Sequence, residues 1–397
     1  MTDTENNKNS NSPALRFPGF TEPWKKCRLG DYIRIFSGES PNCVSSKFGI
    51  IPYYKVEQLN WCDKYLGETP YLSQRGKNIL PEGCVVFSKR GAAILTNKVR
   101  MNLFPINIDT NLMGIKADNS FISDQYLFYF ILRARLSRIA DTSTIPQINN
   151  IHINPITINI PSLEEQEKTT RFLGLLDERI ATQRRLIEDF ISLRRAILQE
   201  AIKRGLSKKS WKFITLNDIL TERGERNYDG YDVCSVSVSE GVVNQIEYLG
   251  RSFAAKDTGH YNVACYGDII YTKSPTGSFP YGIVKRDTQK EPAAISPLYG
   301  VFVPKHDWIG ILLGYYFESE VNTFNYLHPI IQKGAKNTIH ITNSGFLANN
   351  VPLPIDESEA LVLTKCLETI SHKIVLEKSV LVHYTEQRSY LLSRTFV

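Results

Sequence analysis

From Leu173 onward, large side chains return at alternating spacings of three and four: Leu173, Leu176, Ile180, Gln183, Ile187, Phe190, Arg194, Ile197 and Ala201. This is a heptad seam, and it predicts a helix from about Glu164 to Lys203. At about 1.5 Å per residue that helix is roughly 60 Å long, too long to cap one small domain. A second seam follows near the end of the chain: Leu367, Ile370, Ile374, Glu377, Leu381, Tyr384, Arg388, Leu391 and Thr395, with polar interruptions in the corresponding places. Antiparallel pairing that resolves those interruptions sets Arg194 against Glu377 and Gln183 against Arg388. In the same register Ile187 faces Tyr384, Phe190 faces Leu381, Ile180 faces Leu391 and Ile197 faces Ile374. Polar seam residues pin a register because a slipped alignment strands a charge against hydrocarbon. The alternative is that each helix packs only on the globular part that precedes it.

Ahead of each seam the pattern is shorter. "CVVFSKRGAAIL" and "DIIYTKSPTGSFPYGIV" alternate apolar and polar positions between turn residues, as half-buried strands do. Asp124 to Ile139 and Trp308 to Val321 carry aromatic and aliphatic side chains on most faces, which predicts buried helices and no cofactor site. These features come in the same order twice. "WKKCRLGDYI" at Trp24 returns as "WKFITLNDIL" at Trp211, Gly114 and Tyr129 return as Gly300 and Tyr315, and His152 returns as His340. The chain is therefore expected to hold two copies of one module. The boundaries read as a polar leader 1–20, a first module 21–160, a long helix 161–206, a second module 207–353 and a closing helix 354–397. The expected fold class is α+β: two globular domains of similar fold separated by two long antiparallel helices, a coiled coil with pseudo-twofold internal symmetry.

Composition changes this picture little. With 397 residues, 42% hydrophobic, the chain has material for two cores. No apolar run approaches the roughly 20 residues that cross a bilayer, and the polar leader has no signal-peptide core, so a cytoplasmic protein is expected. Seven cysteines without a Cys-x-x-Cys pair announce neither a disulfide framework nor a zinc site. A net charge of +6 favours a polyanionic partner without identifying one.

Catalytic signatures are missing where an enzyme needs them. Gly76-Lys77 is followed by Asn78 and lacks the upstream glycine of a phosphate-binding loop. "SPLY" and "SPTG" lack the amide or carboxylate and the paired prolines with which adenine methyltransferases hold a flipped base. His152 and His340 sit among isoleucines and read as hydrogen-bonded structural histidines. No catalytic residue and no metal ligand is expected.

Two copies of one surface held apart by paired long helices suit a ligand with two separated sites on a regular lattice, as duplex DNA is. Contacts to such a ligand would need Lys, Arg, Asn, Gln, Ser or Thr on loops. Two loops per copy qualify. One follows an apolar strand, "SKRGAA" with Lys89 and Arg90, and "TKSPTGS" with Lys273 and Thr276. The other precedes the long helix, "DTSTIPQINN" with Thr144, Gln147 and Asn149, and "QKGAKNT" with Lys333, Lys336 and Asn337. Ordinary solvated turns have the same composition. The basic stretch Lys203 to Lys212 fits either a contact with the DNA backbone or a solvated turn with Gly205 capping the helix.

"LRFPGFTEPW", the block "IPSLEEQEKTTRFLGLLDERIATQRRLIEDFISLRRAILQEAI" and its degenerate second copy resemble the specificity subunits of type I restriction-modification systems, from Leu15 onward. The second copy departs from the pattern, since "LPIDESEALVLTKCLETI" has no Glu-Glu-Gln. The resemblance implies two target recognition domains, each reading one half of a bipartite, asymmetric target in double-stranded DNA. It implies helices that set the spacer and dock two modification (methyltransferase) subunits, and restriction subunits that join them. S-adenosylmethionine, ATP and Mg would belong to those partners, and the chain itself would hold no cofactor. Two other classes remain open: a stand-alone DNA-modifying enzyme with an unrecognised site, and a coiled-coil adaptor that binds only proteins.

Overall fold

A computed structural model describes residues 12–41, 49–74, 76–141, 145–251, 257–333 and 339–396, with only the backbone of Leu249, Gln332, Lys333, Ile339 and His340. The chain divides into two units. One contains the chain up to Arg185 together with the stretch from Lys378; the other is Leu186–Glu377. Four helices organise them: α1 (Asp124–Ala134), α2 (Leu163–Lys208), α3 (Asp307–Tyr316) and α4 (Glu357–Thr395).

In the first unit, strands Ile33–Ser37, Leu112–Ala117, Val85–Ser88 and Val99–Met101 form an antiparallel sheet in that spatial order. Its faces are both covered. Val85 and Phe87 point into the core with α1, while Val86 points into a second core with Tyr54, Leu80 and Ile108. Removing such a side chain from water stabilises by about 1.5–3 kcal/mol, which is why this strand is apolar at successive positions. The strand is Val85–Ser88, and the loop expected from Ser88 follows it. Gly91 turns the chain at φ +79°, and Ala92–Ile94 form a single helical turn. Helix α1 begins where the Ser123 side chain accepts from the Tyr126 N–H, and buries Tyr126 through Ile131. It ends at Arg135, whose φ of 60° breaks the predicted helix before Leu136–Ile139. A ribbon of Lys25–Arg28 with Thr157–Ile160 closes the module just ahead of α2.

The second unit repeats the plan. Strands Leu220–Glu222, Gly300–Pro304, Ile269–Tyr271 and Val284–Arg286 lie in the same antiparallel order, and Trp211–Thr215 pairs with Asn350–Pro354 ahead of α4. Ile269 and Tyr271 face the core with α3, and Ile270 faces a smaller core with Val242 and Val301. The predicted helix Trp308–Val321 is α3 followed by a separate helix, Glu320–Leu327, capped by Ser319.

The long helices run in opposite directions within each unit. In the first, Leu173 shares a core with Leu392 and Phe396, the Arg179 guanidinium lies 5.0 Å from the Tyr384 ring centre, and Arg388 Nε donates to Asp177. In the second, Leu198 shares a core with Leu367, and Arg194 donates to Ser371 Oγ at 2.6 Å. The seam residues are the shielded ones. Leu176, Ile180, Ile187 and Ile374 are buried; Phe190, Arg194, Ile197, Ile370, Glu377, Leu381, Tyr384, Arg388 and Leu391 are half-buried. The predicted register, however, is corrected. Arg194 meets Ser371 where Glu377 was expected, and Arg388 meets Asp177 where Gln183 was expected, each partner lying six residues earlier. Glu377 pairs with Lys373 on its own helix, at 2.6 Å. The physical reason is that each arginine finds a partner where its module meets the helices, Arg194 at Ser371 and Glu318 and Arg388 at the Asp177 that Tyr129 also holds, and so needs neither Glu377 nor Gln183.

Two further expectations change. Gly205 does not cap α2, which continues to Lys208; Lys209 takes the left-handed turn at φ 60°, and Ser210 N–H closes on the Gly205 carbonyl at 3.0 Å. Of the leader 1–20, the part from Ser12 is fastened. Leu15 N–H donates to the Arg394 carbonyl at 3.0 Å, and Arg16 forms a bidentate pair with the buried Glu165 carboxylate at 2.7 and 2.8 Å.

Candidate nucleic-acid interface

The register of the first sheet puts Ser37, Met113, Phe87 and Val99 in one row across it. Because neighbouring strands alternate in direction, the loops after Ser37, after Ser88 and before Leu112 all leave from the same rim. The loop predicted to touch DNA, with Lys89 and Arg90, is one of them. The second predicted loop joins it: Ile148 N–H donates to the Lys89 carbonyl and Gly91 N–H to the Pro146 carbonyl, both at 2.8 Å. Arg90 and Gln147 thereby pair as an isolated antiparallel bridge, and Gln147 Nε2 donates to Asn149 Oδ1 at 3.2 Å. Two segments more than fifty positions apart thus present Lys89, Arg90, Gln147 and Asn149 together. Burial lowers the Lys89 ammonium below the usual lysine range, and the Arg90 charge adds to that. A half-shielded cation of this kind gains more from a phosphate than a fully hydrated one does.

The second module builds the same rim with other side chains. Glu222, Phe302, Ile269 and Arg286 form a row, and the loops after Glu222, after Tyr271 and before Gly300 leave together. Lys273 takes a left-handed φ of 58°, which bulky residues rarely adopt. Burial lowers its pKa while the charge of Glu222 opposes that shift. Glu222 accepts in turn from Asn343 Nδ2 at 2.5 Å. Thr276 is in the same loop, bridged to Phe279, with its hydroxyl donating to the Ser274 carbonyl at 3.1 Å. Lys333 stands in a two-residue strand paired with Ile339–His340. Thr144, Lys336 and Asn337 lie outside the described residues.

Sequence reasoning missed the loop that follows the first strand of each sheet. In the first module it begins at Gly38, where a Cβ would lie 1.9 Å from the Asp109 carbonyl oxygen, so the backbones touch. In the second it is Arg223–Asp232. There the buried Asn227 accepts from Tyr231 N–H at 2.7 Å, Arg226 donates to the His260 carbonyl at 3.1 Å, and Tyr228 is left 84% exposed on a braced turn. "GESP" and "NYDG", turn clusters directly after a strand pattern, were the available sign.

Among the described residues no group of three or more His, Cys, Asp or Glu could hold a metal, and no helix is long and apolar enough to cross a membrane. His152 accepts the Asn149 N–H at 3.0 Å and so braces the rim.

Residues 21–189 match the family described as the type I restriction modification DNA specificity domain. The chain is 22% identical over 348 residues to the type I restriction enzyme MjaVIII specificity subunit of Methanocaldococcus jannaschii, covering 78% of each. In fold it is similar to the S subunit of a type I restriction-modification system from M. genitalium, with a TM-score of 0.55 at 13% identity over 97% of this chain and 99% of that one. It is likewise similar to a chain solved in work on complex assembly and conformational transition of a type I system, with a TM-score of 0.56 at 14% identity over 96% and 98% of the two chains.

Proposed function

We propose that this chain is the specificity subunit of a type I restriction-modification system and reads a bipartite DNA target with one half-site per module. The observation that carries this reading is one rim built twice with different chemistry. Lys89, Arg90, Gln147 and Asn149 stand on the first, Lys273 and Thr276 beside Glu222 on the second. Similar scaffolds with unlike side chains suit an asymmetric target. Lysine and arginine supply phosphate contacts and guanine recognition, while Gln147 and Asn149 have the paired donor and acceptor that match adenine.

In this reading the modules are 21–160 and 207–353, and the long helices set the spacer and dock two modification subunits. Their exposed apolar positions, such as Leu175, Leu193, Val362 and Val375, fit a protein partner. The chain works in the cytoplasm as a noncatalytic subunit. Methyl transfer from S-adenosylmethionine belongs to the modification subunits, and ATP- and Mg-dependent restriction to further partners.

The test is co-expression with the cognate modification subunit, followed by mapping of methylated adenines across a genome. Two short defined blocks separated by unspecified bases support the reading. A continuous motif, or methylation by the purified chain alone, overturns it.

A further inference from the structure

Two polar networks link the modules to the long helices, and each draws its arginine from the other copy of the repeat. In the first unit, the Tyr129 hydroxyl donates to Asp177 Oδ2 at 2.6 Å and accepts from Lys64 Nζ at 3.0 Å. Arg388, from α4, donates to the other oxygen of Asp177. In the second unit, the Tyr315 hydroxyl and Ser371 Oγ are 2.7 Å apart. Arg194, from α2, donates to Ser371 Oγ and to Glu318 Oε2, each at 2.6 Å, with its guanidinium 4.7 Å from the Tyr315 ring centre. The correspondence is strict: Arg388 follows Arg194 by the same number of residues as Ser371 follows Asp177.

Leucine at either arginine position would pack the seam better, since half-buried ion pairs add little stability over hydrocarbon. What such a network supplies is geometry. Tyr129 is fully buried in the module core, so its hydroxyl is a fixed point on α1, and the arginine ties the long helix to that point. We infer that Arg388 and Arg194 are positioning residues, each setting the angle of one recognition module from the long helix of the opposite repeat copy. Half-site readout by the first module is then controlled from near the end of the sequence, and readout by the second from its middle. Base-edge hydrogen bonds tolerate little displacement, so a module that rocks on its helix loses discrimination before it loses its fold.

This inference rests on the bipartite reading above, and the experiment separates the two. The full complex with its modification subunit is expressed with the unaltered chain, Arg388→Ala, Arg388→Lys and Arg194→Ala, and methylated motifs are mapped. A replacement of Lys89 to Asn97 identifies which half belongs to the first module. Arg388→Ala is expected to lower preference for the correct bases in that half by on the order of tenfold, with the other half unchanged and partial recovery in Arg388→Lys. Arg194→Ala is expected to do the reverse. Equal relaxation of both halves, or of the wrong half, overturns the inference while leaving the bipartite reading intact. A continuous motif from the unaltered chain overturns the reading itself. Should Arg388→Ala abolish methylation, Tyr129→Phe and Tyr315→Phe, which remove one hydroxyl each, decide the matter: undiminished discrimination in both overturns the inference.

Discussion

The indole N–H of Trp211 donates to Glu359 at 2.7 Å, and the indole N–H of Trp24 does the same to Glu165 at 3.2 Å. Each glutamate is the third residue of its long helix, and each tryptophan stands just before or at the ribbon strand that leads to that helix. The second copy has lost the Glu-Glu-Gln spelling but kept the one carboxylate that holds the tryptophan. Gln166 differs: it accepts from Ser123 N–H at 2.8 Å and donates to the carbonyls of Phe121 and Pro161, whereas its counterpart Ala360 is simply buried.

Glu165→Ala should therefore cost more than Glu359→Ala. The first leaves the half-buried Arg16 guanidinium and the buried Trp24 N–H without their shared carboxylate, a loss of about 1.5–3 kcal/mol. The second removes a single indole contact, about 1 kcal/mol. Chemical denaturation of both variants measures the difference; equal losses would show that Arg16 finds another partner.

Gly205→Ala sets two effects against each other. Alanine is favoured over glycine inside a helix by about 1 kcal/mol, but its Cβ would sit 1.9 Å from the Trp211 indole. The indole is buried and cannot step aside, so the variant should melt lower than the unaltered chain. A higher melting temperature would mean that the tryptophan repacks.

Asp287 is fully buried, accepts the Gln289 N–H at 2.8 Å through one oxygen and leaves the other without a partner, and burial pushes its carboxyl up to about 6. Folding thus raises this pKa from the ordinary 3.8. Between about 4 and 6 the folded state holds a proton that the unfolded chain has released, so the stability from this group falls as pH rises through that window and is lowest above it. Asp287→Asn should raise the melting temperature at pH 8, with the gain shrinking as pH is lowered toward 4. A gain independent of pH would place its origin elsewhere.

DNA affinity should fall steeply with salt, because phosphate neutralisation releases counterions. Lys89→Ala and Lys273→Ala should each reduce the slope of log affinity against log salt by about 1. Filter or fluorescence titration of the complex on duplex containing the mapped motif reads this directly. An unchanged slope would exclude that lysine from phosphate contact.

The repeat, the long helices and the loop that carries Lys89 and Arg90 were legible in the chain because each rests on a local pattern: heptad spacing, strand alternation, a turn after an apolar run. What was illegible depends on contacts distant in sequence. Hydrocarbon spacing alone allows Arg194 to face Glu377, and only the folded module reveals that Glu318 and Ser371 are nearer partners. Gly205 resembles a helix stop until Trp211 is seen packed against it. The loop from Arg223 to Asp232 had turn residues to announce it, but its place on the rim follows from strand order, which no local pattern encodes.

The rims and the fastenings draw on separate residues. Trp24, Tyr129, Trp211 and Tyr315 secure the modules, while the loops after Ser37, Ser88, Glu222 and Tyr271 make the outward edge. Substitutions can accumulate along that edge without disturbing assembly. In the bipartite reading proposed above, such a chain would trade one preferred DNA word for another in either slot while the partners that dock on its helices stay the same.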